Sequence, residues 1–404
     1  MDRRAAGAGR MSRLLIRDAC LADGRSGRLE QGSSLLVEDG RIAAIGPADS
    51  VDPEGAEVID GGGATIVPAL VDAHSHLTMP GGSHWIERGD DPPERLRQVA
   101  RDNARRLTTA GILWARDVGS PVDPSSGRAV SLAVREELGA ARGMPYIRVA
   151  GTWLAKRGYL GITVGVDDGD GLLAAALEQL DHGADFVKIM LDGPERGQTS
   201  PFSVDDVRRV RLAVHARGAR ITAHATILDG ARVAAEAALD SIEHGMELDD
   251  SVAQTMAHNH VTLVSTLSVL ASWDTFARTT SIPRFASEEG RAALEKRREG
   301  AYAAIAAARR AGVAIATGSD FGGGSVRAGH LAWEVQLLVE AGLEPWEALA
   351  AATWRGGDLL DEPYAGRLTQ GAPADFVLLH GDPLSDPSAL WRVWSVFQRG
   401  VRVA

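Results

Sequence analysis

Cysteine is nearly absent: Cys20 is the single thiol in 404 residues, which excludes an intrachain disulfide and a thiolate metal cluster. A reducing compartment suits such a chain, and a cytoplasmic location is expected. Positive charge is not in excess either, because the formal net charge is −11. Nucleic acids and anionic membranes are held by basic faces, so neither is expected as a partner. No apolar run approaches the roughly 20 residues of a membrane span. Residues Met1 to Arg10 are small and basic but lead into no apolar h-region, so no signal peptide is expected. Residues 1–11 read as a disordered tail, with Met11 as an alternative start. What remains is ordinary: 45% hydrophobic and 24% charged residues, the balance of a soluble globular protein. The length allows a large core and more than one folding unit.

Short strands and turns occupy the first segment. Leu14–Ile16, Ser34–Val37 and Ile42–Ile45 are apolar runs, and the Asp39-Gly40 pair between the last two is a hairpin signal. Val58–Asp60 and three glycines close this part. The same β texture returns near the other end in Ala374–Leu379 and Val393–Phe397. The two segments, 12–67 and 363–404, are expected to pair into one small β-sandwich domain built from both chain termini.

Between them, apolar strands alternate with amphipathic helix-length segments. The strands are read at Ile66–His74, Ile112–Val118, Ile147–Gly151, Ala184–Met190, Ile221–His224, Ser241–His244, Val261–Ser265 and Val313–Gly318. Helices fill the intervals; one opens with Ser203 as N-cap and Asp206 at N3. Eight such units in a row are the count of an α/β fold of the (β/α)8 TIM barrel type, expected over residues 68–362.

Active sites of these barrels lie at the C-terminal ends of the strands. There, His74 and His76 end the first strand; being two apart, they point to one face. Converging neutral imidazoles suit a divalent transition metal. The fourth strand carries Lys188 among apolar neighbours, where an unpaired amine is costly. His224 ends the fifth strand, His244 the sixth, and Asp320 follows the eighth. Taken singly, each has an ordinary reading as a core histidine, a strand terminator or a turn aspartate. Six polar groups at five strand ends on one face point instead to a metal site.

That pattern, His-x-His, Lys, His, His and Asp on strands 1, 4, 5, 6 and 8, resembles the amidohydrolase superfamily over nearly the whole chain. Ala184–Met190, Ser241–Gly245, Ala351–Trp354 and Gly371–Phe376 are similar to the branch with imidazolonepropionase-like proteins, metal-dependent Xaa-Pro and Xaa-Arg dipeptidases and ochratoxin-hydrolysing amidases. The resemblance implies two divalent metal ions. His74, His76 and Asp320 would hold the more buried one, His224 and His244 the more exposed one, and Lys188, carboxylated by CO2, would bridge them. A buried lysine has a depressed pKa, and the neutral amine is the form that reacts with CO2. Histidine and carboxylate ligands favour zinc, with manganese, cobalt, nickel and iron as compatible alternatives. Asp320 would serve as ligand and general base at once.

The implied activity is a metal-dependent hydrolase cutting an amide or cyclic amide C–N bond of a small molecule, such as an N-acyl amino acid, a dipeptide or a cyclic amide. A deaminase of the same superfamily and a non-catalytic barrel scaffold are the alternatives; Lys188 and the complete ligand set count against each in turn. Two positions depart from the dipeptidase pattern: Thr226 stands where a tyrosine is frequent, and the loop Lys156-Arg157-Gly158-Tyr159-Leu160-Gly161 lacks a histidine. For substrate contacts, Tyr159 is expected to polarise the scissile carbonyl, Arg157 to meet a carboxylate, and His330 to touch the ligand. The long stretch Leu267–Arg284, with Trp273 and Phe276, is expected to form a lid. Glycines 322 to 324 lack the Lys-Ser/Thr of a phosphate loop. A homo-oligomer is expected.

Overall fold

The computed structural model describes residues 13–139, 141–194 and 199–404; the expected tail at 1–11 lies outside them. In chain order, β1 (Arg13–Leu21), β2 (Glu30–Glu38), β3 (Arg41–Pro47), β4 (Glu57–Asp60) and β5 (Thr65–Pro68) form the first group. The β2–β3 turn takes positive φ at both Asp39 and Gly40, as an Asp-Gly hairpin requires. The second group is β6 (Leu70–Ser75), β7 (Ile112–Asp117), β8 (Tyr146–Val149), β9 (Trp153–Lys156), β10 (Val164–Val166), β11 (Phe186–Met190), β12 (Arg220–Ala225), β13 (Ser241–His244), β14 (Thr262–Ser265) and β15 (Ile315–Thr317). β16 (Phe376–Leu379), β17 (Val393–Gln398) and β18 (Val401–Arg402) end the chain.

The first and last groups make one eight-stranded sheet in the order β18-β17-β16-β5-β1-β2-β3, with β4 beside β1. The expected sandwich is thus a single hydrogen-bonded sheet, because β5 pairs with β1 on one side and with β16 on the other. Alternation of side chains gives each face its own apolar cluster. Ile16, Leu35, Phe376 and Phe397 pack on one face, and Leu15, Leu36 and Val51 on the other. The rings of Phe376 and Phe397 stack at 4.5 Å.

The apolar run expected as one strand, Ile66–His74, is two. Thr65–Pro68 belongs to the terminal sheet and Leu70–Ser75 to the parallel layer, with Ala69 N donating to Asp375 O and Leu70 N to Gly111 O where the chain crosses. The parallel strands form a three-stranded sheet, β6-β7-β8, and a seven-stranded one, β10-β9-β11-β12-β13-β14-β15. The expected closed barrel is therefore present as two parallel sheets and not as one continuous ladder. The reason lies in the third strand, which breaks between β8 and β9: β8 pairs with β7, while β9 pairs with β11. At the opposite junction Asp320 N donates to His74 O and His76 N to Phe321 O.

Helices follow the strands as the periodicity suggests, among them Pro93–Thr109, Gly169–Asp181, Val204–Ala216 and Glu288–Ala311. Ser203 caps the third of these by accepting from Asp206 N at 3.2 Å. Buried Leu, Val and Ala side chains between strands and helices form the largest core. The expected lid is helical, Leu267–Thr275 and Pro283–Ala286. No helix among the described residues is long and apolar enough to cross a membrane.

Phe376→Ala would break the aromatic stack of β16 on β17 and open the apolar cluster in which both chain ends pack. A loss of about 3–5 kcal/mol is expected for a buried phenylalanine, read as a lower urea midpoint with unchanged slope. A loss below about 1 kcal/mol, the small effect typical of surface sites, would show that the terminal sheet does not depend on that stack.

Candidate metal centre

Strand alternation places the first polar side chains. Asp72, His74 and His76 are two apart and share one face; all three are buried. His74 Nδ1 donates to Glu243 Oε2 at 2.6 Å, and His76 Nδ1 donates to Gly119 O at 2.7 Å. With both Nδ1 protons used, each Nε2 carries a lone pair. These lone pairs face one carboxylate oxygen: Asp320 Oδ1 lies 3.4 Å from His74 Nε2 and 3.3 Å from His76 Nε2. Three acceptors pointed at one another repel unless a proton or a cation stands between them. One ligand atom from each of these residues lies within 4.8 Å of the others.

His244 and His224 continue the row of rings. The His74–His244 and His244–His224 centroid separations are 4.7 and 4.6 Å. His244 Nδ1 is 2.7 Å from Thr266 Oγ1, and His224 Nε2 donates to Asp192 Oδ2 at 3.1 Å. Alternation along β13 would send His244 outward with Ile242. A left-handed backbone, φ 71°, turns it inward, and Asp320 has a φ of 48°. Such conformations cost about 1–3 kcal/mol each and persist only where the surroundings enforce them.

Clearance is tight around the first two histidines. A Cβ on Gly318 would lie 2.2 Å from His74 Cβ, and one on Gly323 2.0 Å from His76 Cδ2. The glycine run of residues 322–324 thus makes room for an imidazole.

Lys188 lines the same cavity, is 1% exposed, and its Nζ has no hydrogen-bond partner. Burial lowers its pKa to about 8, with Glu243 pulling upward and Arg116 downward. Lysine is rare in this chain: Lys156, Lys188 and Lys296 are all of it. An amine in the interior of a chain that otherwise uses arginine marks a requirement that a guanidinium does not meet.

A buried network fixes these groups. Glu243 accepts from Arg116 Nη1 at 2.9 Å, from Ser241 Oγ at 3.1 Å and from the Thr222 hydroxyl. Burial alone would raise its pKa, but the charges of Arg116 and Lys188 hold it well below the carboxylate range. Asp320 is likewise pushed up by burial and held far lower by His74. Burial keeps His244 neutral, well below the usual imidazole value. Asp72 accepts from Ser319 N and Oγ at 3.0 and 2.6 Å, and burial raises it to about 7.

The cavity holds about 460 Å³. His74, His76, Lys188, His224, His244 and Asp320 all line it, and so does Tyr159, whose Oη is 3.2 Å from His224 Nε2. Val269, Trp273 and Arg284 of the expected lid line it too. Arg157 and His330 are elsewhere. Arg157 is exposed and paired with Asp167 through two 2.8 Å bonds, because β9 and β10 run side by side. His330 Nδ1 donates to Arg327 O at 3.0 Å, and its ring packs on Trp391. Sequence reading missed Asp72, Arg116, Glu243 and Asp192. Only Asp72 carried a usable signal, being two residues before His74.

Glu243→Gln keeps the shape but cannot accept from both His74 and Arg116 as a carboxylate does. Losing such an orienting carboxylate typically weakens metal affinity about 10–100-fold, and chelator competition should show a fall of that size. Unchanged affinity would contradict the orienting role.

Comparison with known proteins places nearly the whole chain among relatives. The profile of the amidohydrolase family matches residues 65–403. An uncharacterized protein of Mycobacterium tuberculosis is 33% identical over 398 residues, covering 97% of this chain and 96% of that protein. An imidazolonepropionase of Anaeromyxobacter dehalogenans is 27% identical over 392 residues, covering 86% and 84% of the two chains. Among solved structures, a Xaa-Pro dipeptidase with bound methionine superposes with a TM-score of 0.83 at 24% identity, covering 97% of this chain and 99% of that one; the likeness is one of fold. The chain belongs to the amidohydrolase family.

Proposed function

We propose that the protein is a metal-dependent amidohydrolase that hydrolyses the amide or cyclic amide C–N bond of a small molecule. One observation carries this reading: the lone pairs of His74 and His76 converge on Asp320 beside a buried, unpartnered Lys188 amine. This donor set fits two divalent cations. His74, His76 and Asp320 would hold one, His224 and His244 the other, with zinc the first expectation. Lys188 Nζ would add to the carbon of CO2 and lose a proton, and the resulting carbamate would bridge the pair as an anion. When bound, the cations supply Lewis acidity toward a carbonyl and make a water a better nucleophile.

The protein's own groups do the rest. Tyr159, beside His224, is placed to donate to the oxygen of the scissile carbonyl. Asp320 takes the proton of the attacking water as its oxygen bonds to the carbonyl carbon. The C–N bond then breaks, and Asp320 returns the proton to the departing nitrogen. Trp153, Trp85 and the lid residue Trp273 line the cavity walls and limit water there. The names of the imidazolonepropionase and Xaa-Pro dipeptidase relatives support C–N hydrolysis. In this reading the parallel strands act as a (β/α)8 barrel over 68–362, seamed at the broken third strand. The terminal β unit, 12–67 plus 363–404, stands as a second domain, and the enzyme works as a homo-oligomer in the cytoplasm.

Elemental analysis of protein purified without chelator should approach two metal ions per chain, and Lys188→Ala should retain at most one. Less than one ion in the reconstituted native chain would overturn the binuclear site. Asp320→Asn should fold and keep most metal while kcat falls about 10²–10⁴-fold, the usual size of a lost general base. Near-normal kcat on a turned-over N-acyl amino acid or dipeptide would contradict its role.

A further inference from the structure

Two cations line the cavity, Arg284 and Arg297. Arg284 belongs to the short helix Pro283–Ala286, where its guanidinium stands 4.5 Å from the Phe285 ring centroid and 6.0 Å from that of Trp273. Aromatic faces hold a guanidinium in place, and the charge of Arg284 also acts on Glu87. Arg297 belongs to the long helix Glu288–Ala311. One turn further on, Gly300 meets the chain after β13 so closely that a Cβ would lie 3.1 Å from Met246 O. That contact seats the helix beside the end of the strand carrying His244. Among the described residues, Arg297 makes no hydrogen bond or ion pair.

The acids that share the cavity are engaged elsewhere. Asp192 accepts from His224 and from Thr226 N, Asp320 lies among the histidines, and Glu247 accepts from Leu228 N at 3.2 Å. Both arginines also border an adjoining hollow of about 360 Å³ lined by Trp273, Pro283, Leu294 and one acid, Glu289. In a chain of net charge −11, two cations in the wall of the cavity that the histidines line favour anions. Guanidinium groups match carboxylate geometry in two-point contacts. Arg157, the cation expected for this task, is occupied by Asp167 on the surface.

We infer that Arg297, with Arg284 beside it, is the specificity determinant for a substrate carboxylate, so that the preferred amides are anionic ones such as N-acyl amino acids. The inference rests on the proposed hydrolase function. It adds that the carboxylate is read by the lid side of the cavity and not by the loop after β9. A substrate so held directs its uncharged acyl–nitrogen bond toward Asp320 and Tyr159.

The test is calorimetric binding to metal-loaded protein of N-acetyl-L-alanine, N-acetyl-L-leucine and N-acetyl-L-phenylalanine, each beside its uncharged C-terminal amide, with turnover followed in parallel. The wild type should bind at least one acid tighter than its amide by about tenfold to a hundredfold, the range of one charge-assisted hydrogen bond. Arg297→Ala should erase that preference while leaving amide affinity within about twofold, the scatter of a neutral surface change. Arg297→Lys should restore part of it. A preference that survives Arg297→Ala, no preference in the wild type, or no binding by any acid overturns the inference. Arg297-dependent binding of acids without hydrolysis of any of them would leave the subsite standing and overturn the hydrolase reading.

Discussion

The Lys188 amine is the constraint on which the site is built. An ammonium without partners in the interior is disfavoured by several kcal/mol, and a neutral amine there still lacks a hydrogen bond. Neighbouring groups do not repair this: Glu243 is turned toward Arg116, Thr222, Ser241 and His74. The charge of Glu243 favours the ammonium, and that of Arg116 opposes it. The result is an amine poised near neutrality with space before it. Conversion to an anion that two cations share would relieve both the orphaned amine and the facing lone pairs of His74 and His76. The two defects have one remedy.

The scaffold maintains this arrangement at a local cost. His244 and Asp320 take left-handed backbone conformations, and Gly318 and Gly323 give up side chains so that His74 and His76 fit. Each feature is unfavourable alone, and the packed parallel sheets around them supply the compensation. The break between β8 and β9 serves the same end, because it brings Trp153 beside Lys188 in register and its indole within 5.2 Å of the His76 ring. Trp153 from this strand and Val269, Trp273 and Arg284 from the helices after β14 all line the cavity.

Much of this was legible in the sequence because its signals are short-ranged. Period-two alternation identified the His74–His76 face, and the alternation of apolar runs with helix-length segments identified the eight units. The Asp39-Gly40 turn and the Ser203 cap are equally local. What escaped was nonlocal. Glu243 looked like a neighbour of His244, yet alternation turns it to the barrel interior, where it meets side chains from β6, β7 and β12. Arg157 looked like an anion receptor until the β9–β10 pairing put Asp167 beside it, and His330 is taken up by Trp391 from the far end of the chain. Arg297 sits in the helix Glu288–Ala311, and only the fold reveals that it lines the cavity. The inward turn of His244 could not be read at all, since it depends on a left-handed residue that is not glycine.

The most direct test of this chemistry is whether Lys188 carries a carbamate. Protein loaded with zinc in 13C-labelled bicarbonate and washed free of it should show one protein-bound carbamate carbon resonance. That signal should be absent from Lys188→Arg prepared identically and should fade when the metal is chelated. A fully metallated, active enzyme with no such resonance would contradict the bridging lysine and leave the unpartnered interior amine without a cause.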